Sequence, residues 1–147
     1  MTGPPVTLRS KLPDVGTTIF TLMSALANKH QALNLSQGFP DFAAPERLVA
    51  LVDEYMRRGM NQYPPMQGVM ALRSEIAHKT KNLYGFECCP DEEVTVTAGA
   101  TQALFCAIAA VVDQGDEVIV FDPAYDSYDP VIRLQGAHAV HVPLLAP

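Results

Sequence analysis

The sequence predicts an α/β fold in which helices cover a parallel sheet. Two β-branched runs, residues 93–97 and 117–121, flank an apolar helical stretch over residues 101–112. A further helix over residues 125–134 leads to a third strand at residues 139–144. This alternation of strand and helix is typical of a parallel sheet. Residues 117–121 are almost continuously apolar, as expected for a strand covered on both faces.

Three amphipathic helices are predicted before this alternation, from apolar residues that recur at helical spacing. They cover residues 19–29, 45–58 and 69–84, and a glycine follows the second and the third. In the third helix the apolar residues are predicted to face inward and Arg73 to face solvent. Residues 33–35, Leu-Asn-Leu, are a short strand candidate.

The chain is predicted to have two parts. Residues 1–16 hold three prolines and two glycines and indicate an extended arm. We expect residues 1–44 to form this arm with a portion of a small domain, and residues 45–147 to form the first part of a large domain. Because only three strands are predicted after residue 93, we expect an amino-terminal piece of a longer, truncated protein.

Composition excludes several classes of protein. The net charge of −6 gives no basic footprint for nucleic acid. No run approaches the roughly 18 apolar residues of a membrane span, and the first residues lack a secretory signal. We therefore expect a cytoplasmic protein in which Cys88, Cys89 and Cys106 are reduced thiols.

No metal site is predicted. His138 and His141 lie three apart on a predicted strand, so their side chains point to opposite faces. Asp122, Asp126 and Asp129 lack the calcium-loop pattern and are interpreted as turn and capping groups.

The segment around Gly99, Ala100 and Thr101 joins a predicted strand to a helix through small residues. The first amides of that helix have no acceptor within it, and the helix dipole adds positive potential. A phosphate can bind there, with Thr101 adding a hydroxyl. The turn lacks a Walker lysine and is not GxGxxG, which disfavours nucleoside triphosphates and dinucleotides. Alternatively, the small residues serve only close packing.

Tyr125 follows the next predicted strand and is expected at the same carboxyl edge of the sheet, where ligands of open α/β sheets bind. Its ring can stack on a flat heterocycle. The alternative is that Tyr125 and Tyr128 are ordinary packing residues. Two further segments, taken by themselves, indicate only loops. They are residues 61–68, which include Tyr63, and residues 36–42.

Taken in order, four motifs resemble the class I/II aminotransferases, which are pyridoxal phosphate (PLP) enzymes of fold type I related to aspartate aminotransferase. Within that family the chain is most similar to the kynurenine/glutamine and methionine aminotransferase branch. The resemblance runs from about Gly16 to the last residue and implies a three-layer α/β/α large domain. The motifs are LSQGFPDF, NQYPPMQGVMALR, VTAGATQALF and VIVFDPAYDSY.

The resemblance implies roles for individual residues. Gly99, Ala100 and Thr101 match the turn that holds the PLP phosphate, and Tyr125 matches the aromatic residue that stacks on the pyridine ring. Tyr63 matches a tyrosine that reaches the phosphate of the neighbouring subunit, which implies a homodimer.

Two more residues match substrate-binding positions. Gly38 matches a backbone contact near the substrate carboxylate, and Phe20 matches an aromatic residue of the side-chain pocket.

No catalytic residue is assigned within this chain. In the family, a lysine forms the Schiff base, an aspartate binds the pyridine nitrogen and an arginine binds the substrate carboxylate. The resemblance places all three later than residue 147. The four lysines of this chain are poor substitutes for the Schiff-base lysine, because they are predicted on polar helix faces or away from the sheet edge. They are Lys11, Lys29, Lys79 and Lys81.

The predicted function is PLP-dependent transfer of an amino group from an aromatic, sulfur-containing or hydrophobic L-amino acid to a 2-oxo acid. The 147-residue chain alone is expected to be inactive, because it lacks the lysine. Two alternatives remain open: a carbon–sulfur β-lyase of the same fold, and a non-catalytic module that binds phosphate or dimerises.

Overall fold

A computed structural model describes residues 9–146. Pro147 and the first eight residues of the predicted arm lie outside the described residues. The described chain contains five helices and two strands, numbered here in chain order within each type. They are α1 (Ile19–His30), α2 (Glu46–Arg57), α3 (Met70–Tyr84), α4 (Gly99–Val111), β1 (Glu117–Asp122), α5 (Tyr128–Leu134) and β2 (His138–Pro143).

β1 and β2 are parallel neighbours joined by the crossover helix α5. Their register pairs Glu117 with His138 and continues to Asp122 opposite Pro143. Parallel strands need a crossover of this kind because a tight hairpin cannot connect them. The structure thus confirms the predicted α/β class and the last strand–helix–strand unit.

A small core lies between the sheet and α5. Val120, Ile132 and Ala137 are 5%, 1% and 4% exposed. Ile119 and Phe121, which alternate with Val120 along β1, are exposed. Within residues 9–146, therefore, only one face of β1 is covered, although its apolar sequence predicted two covered faces.

The chain divides into two compact units. One comprises the residues up to Gly38 together with those from Ala100 onward, and it holds α1, the sheet, α5 and all of α4 after its first residue. The other runs from Phe39 to Gly99 and holds α2 and α3. No helix within residues 9–146 is long and apolar enough to cross a membrane.

The predicted strand at residues 93–97 is wrong. The Val96 N–H donates to the Gln67 carbonyl at 2.9 Å, so this segment pairs with the loop before α3 and not with a strand. A Cβ on Gly68 would lie 2.8 Å from Cβ of Val96, which shows how closely the two backbones approach. The β-branched composition gives an extended segment without a ladder.

The predicted strand at residues 33–35 is also wrong. The Asn34 side-chain oxygen accepts hydrogen bonds from the Ser36 N–H and hydroxyl, at 3.0 and 2.6 Å. The Asn34 amide nitrogen donates to Ser24 Oγ of α1 at 3.0 Å. A local turn around Asn34 therefore replaces strand pairing.

Two details of the helices differ from the sequence prediction. α5 begins at Tyr128 and not at Tyr125, because a turn comes first, in which the Tyr128 N–H donates to the Tyr125 carbonyl at 3.1 Å. On α3, Arg73 was predicted to face solvent, yet it is only 5% exposed. The end of α3 at Gly85, in the left-handed conformation, agrees with the prediction.

Candidate functional site

The amino-terminal end of α4 is shaped by Thr97 and Gly99. The Gly99 N–H donates to the Thr97 carbonyl at 2.8 Å, and the Thr97 hydroxyl donates to the Gly99 carbonyl at 3.0 Å. Gly99 has φ of +81°, a conformation that side chains disfavour. Ala100 and Thr101 follow in the first turn and are exposed. Helix geometry leaves amides of this turn without an acceptor inside the helix, so an anion is favoured there.

Thr101 and Tyr125 are brought together at this helix end. Thr101 Oγ1 lies 3.3 Å from Tyr125 Oη, so one hydroxyl donates to the other. The residues are 24 apart in sequence and meet because the loop after β1 passes the start of α4. Tyr125 therefore lies beside the start of α4, as expected, although residues 93–97 do not form the strand that this expectation assumed.

The ring of Tyr125 packs against one neighbouring ring and is otherwise partly exposed. Its ring contacts that of Tyr128 edge-on, with centroids 5.8 Å apart and an interplanar angle of 75°. Tyr128 packs against the core, whereas Tyr125 is 43% exposed. The packing interpretation of the two tyrosines thus holds for Tyr128, while Tyr125 keeps ring surface for a ligand.

These residues fit a phosphate ester of an aromatic heterocycle. Two hydroxyls and the positive end of α4 suit phosphate oxygens. The exposed ring of Tyr125 suits an offset-stacked partner. Gly99 and Ala100 carry little or no side chain, so a phosphate can approach the backbone.

The other predicted site residues do not take part in the Thr101–Tyr125 contact. Phe20 is half-buried in the first turn of α1, and Gly38 lies in the exposed loop before α2. No atom lies within 4 Å of the place a Cβ on Gly38 would take, so the space beside it is open.

Tyr63 belongs to the second compact unit, in the loop between α2 and α3. Its side chain is fully exposed, at 101% of the reference area. It borders a groove of about 560 Å³ whose walls include Tyr55, Met60 and Pro64. An exposed phenol of this kind is available to a molecule outside its own unit.

Sequence reasoning missed a charged cluster around His141 on β2. His141 Nδ1 lies 3.0 Å from Asp122 Oδ2, and Nε2 lies 3.6 Å from Asp129 Oδ1. Asp129 is also 3.5 Å from Arg133. Asp122, the last residue of β1, and Asp129, in the first turn of α5, therefore also pair with a histidine. Among the described residues, no group of three or more His, Cys, Asp or Glu is placed to hold a metal.

The hydrogen bond that the His141 ring donates to the carboxylate of Asp122 raises the pKa of His141 above 6.5, although partial desolvation opposes the shift. The folded state thus binds the proton more tightly than the unfolded chain does. The stabilisation is fully present below pH 6.5 and is lost as pH rises through the raised pKa. We expect an NMR titration of the His141 ring to show this raised pKa.

Replacing Asp122 by asparagine should return the pKa of His141 toward 6.5, whereas Asp126→Asn in the same loop should leave it unchanged. Equal titration curves for wild type and Asp122→Asn would contradict the assignment.

Comparisons with known proteins agree with this fold. The sequence profile of the family described as Aminotransferase class I and II matches residues 30–147. The chain is 56% identical over 147 residues to methionine aminotransferase of Escherichia coli K12, covering 100% of this chain and 38% of that protein. It is 40% identical over 124 residues to human kynurenine–oxoglutarate transaminase 1, covering 81% of this chain and 29% of that protein.

The crystal structure of Escherichia coli YbdL, which identified a methionine aminotransferase function, matches with a TM-score of 0.91 and 56% identity. The match covers 97% of this chain and 37% of that chain. This chain thus spans less than two fifths of the length of these relatives. The fold is that of the PLP-dependent transferases of fold type I. Within this class, the chain belongs to the class I and II aminotransferase family, as its motifs indicated.

Proposed function

We propose that the complete protein carrying this chain is a PLP-dependent aminotransferase. It moves an amino group from an L-amino acid to a 2-oxo acid. The observation that carries this proposal is the contact of Thr101 with Tyr125 at the open end of α4. The similarity to methionine aminotransferase and kynurenine transaminase supports a sulfur-containing, aromatic or hydrophobic amino donor.

In this proposal the start of α4 binds the phosphate of PLP. Amides of the first turn and the Thr101 hydroxyl donate to phosphate oxygens, and Gly99 and Ala100 allow the close approach. Tyr125 offers its ring to the pyridine and orients the Thr101 hydroxyl through the 3.3 Å contact. When bound, PLP supplies an electron sink that stabilises negative charge on the α-carbon of the amino acid.

The contacts that this chain provides are positioning contacts. Helix-end amides, hydroxyl groups and an aromatic face bind and orient a cofactor. Their contribution is to hold the cofactor in one place while other groups perform proton transfer.

Three further residues extend the proposed site. Tyr63, fully exposed, is proposed to reach the phosphate bound by a second copy of the protein, so that the enzyme is a homodimer. Gly38, with open space beside it, is proposed to contact the substrate carboxylate through its backbone. Phe20 is proposed to line the pocket for the substrate side chain.

The test is an amino-transfer assay on the complete protein with PLP. We expect methionine and aromatic amino acids to yield their 2-oxo acids only when a 2-oxo acid acceptor is present. Parallel lines in double-reciprocal plots at several acceptor concentrations would show the ping-pong route.

Omission of the acceptor is the control. Release of pyruvate and ammonia from a cysteine conjugate without an acceptor would instead favour the β-lyase. Binding of PLP without turnover of any donor would favour the non-catalytic module, and either result would contradict the proposal.

A further inference from the structure

Arg73 is an unusually buried charge. It lies on α3 with 5% of its surface exposed. Its Nη1 donates to the carbonyl oxygens of Pro90 and Asp91, at 3.0 and 3.2 Å. Its Nη2 lies 3.5 Å from the exposed carboxylate of Asp91, and its buried Nε has no hydrogen-bond partner. Burying a guanidinium is unfavourable unless its donors form hydrogen bonds. The hydrogen bonds of Arg73 to two backbone carbonyls therefore offset part of the cost of its burial.

The backbone held by Arg73 leads directly to Gly99. The chain makes a turn at Pro90 and Asp91, in which the Glu93 N–H donates to the Cys89 carbonyl at 2.9 Å. It then runs extended through Val94, which is 9% exposed. The glycine that opens α4 thus lies nine positions after Pro90.

The same segment is anchored again further along. The Val96 N–H donates to the Gln67 carbonyl, and Val96 closely approaches Gly68. Thr97 then makes its two hydrogen bonds with Gly99. Hence α3 and the loop before it hold the segment at its start and in its middle, and Thr97 holds its end.

We propose that Arg73 is a positioning residue that fixes Gly99 at the phosphate-binding end of α4, acting through residues 90–97. This inference rests on the proposed function. The guanidinium binds backbone carbonyls, so its effect on a ligand is indirect. Helix-end amides bind phosphate well only within about 2.7–3.2 Å, and supporting contacts hold such donors in place to about 0.5 Å.

The test compares the dissociation constants of PLP and pyridoxal in the complete protein. The two ligands share the ring and differ in the phosphate ester, so their ratio isolates the phosphate contribution. We expect Arg73→Met to lower the preference for PLP about tenfold, the size of one charge-assisted hydrogen bond. Pyridoxal binding should stay unchanged.

Two variants serve as matched comparisons. Arg73→Lys keeps a cation that can donate to the Pro90 carbonyl, so it should restore the wild-type ratio to within about threefold. Arg58→Met removes an exposed arginine of the same unit that pairs with Glu54, and it should leave the ratio unchanged.

An equal loss for PLP and pyridoxal in Arg73→Met, with a lower unfolding temperature, would show a merely structural role and overturn the proposal. An unchanged ratio in a folded Arg73→Met protein would also overturn it, while leaving the proposed function intact. No preference for PLP in the wild type would overturn both.

Gly68→Ala is the second variant if Arg73→Met does not fold. The added Cβ would meet Val96 at 2.8 Å and shift the same segment, and φ of +96° adds strain. A reduced preference for PLP is expected there too. An unchanged preference in this variant would overturn the proposal.

Discussion

Replacing Thr101 by aspartate is expected to weaken PLP binding about 100-fold. In the proposed site the Thr101 hydroxyl donates to the phosphate, and a carboxylate in its place would repel the phosphate and compete for the amides of α4. At about 6 Å and an effective dielectric constant of about 20, each pair of like unit charges costs about 2.8 kcal/mol, which corresponds to about 100-fold in affinity. The measurement is a PLP titration of the apoprotein followed by absorbance.

Two variants control for charge and for shape. Val111→Asp adds the same charge at the exposed carboxyl end of α4, ten residues away, and should change PLP affinity less than about threefold because the intervening distance is solvated. Thr101→Ser keeps the hydroxyl and should bind nearly as wild type does.

Pyridoxal provides the decisive comparison for Thr101→Asp. Lacking a phosphate ester, it should lose far less affinity than PLP. If both ligands weakened equally, the phosphate would not lie at Thr101. If neither weakened, the start of α4 would not be the cofactor site at all.

The local part of the site was predictable because it depends on short-range rules. A glycine and an alanine at the start of a helical stretch are compatible with an open helix end, although the same residues could serve only close packing. Tyr125 was expected near the start of α4 from the rule that parallel strands end at the same edge of a sheet, although residues 93–97 form no strand. The structure confirms the contact, while the ligand roles of both residues stay proposals.

The segment before Gly99 was harder to predict. Residues 93–97 have the composition of a strand, yet whether a β-branched run joins a ladder depends on which backbone lies beside it. Here the neighbour is the loop at Gln67, and no sequence period encodes that choice.

The burial of Arg73 was also hard to predict from the sequence. Helical periodicity marked it as solvent-facing because arginine is usually exposed. Its partners are carbonyl groups 17 and 18 residues away, and carbonyls carry no sequence signal. The His141 cluster was missed for a related reason, since its contact with Asp122 depends on the register of β1 against β2.

The second large effect is expected on stability, in the core between the sheet and α5. The loop that carries Tyr125 connects β1 to α5. Ile132→Ala is expected to lower the free energy of unfolding by about 3 kcal/mol, because it removes buried methyl groups and leaves a cavity. Ile132 is 1% exposed and packs with Val120 and Ala137, in a cluster too small to repack around a void. Urea denaturation followed by circular dichroism measures this change.

Ile19→Ala is the matched control for that substitution. Ile19 opens α1 and is 58% exposed, so the same chemical change should alter the free energy of unfolding by less than about 0.5 kcal/mol. Similar losses for the two variants would mean that α5 does not pack on β1 as described. The loop from β1 to α5 carries Tyr125, so a loosened α5 should also weaken the hold of Tyr128 on that ring. A selective loss of PLP affinity in Ile132→Ala, measured below the onset of unfolding, would then tie the stability of this core to the geometry of the site.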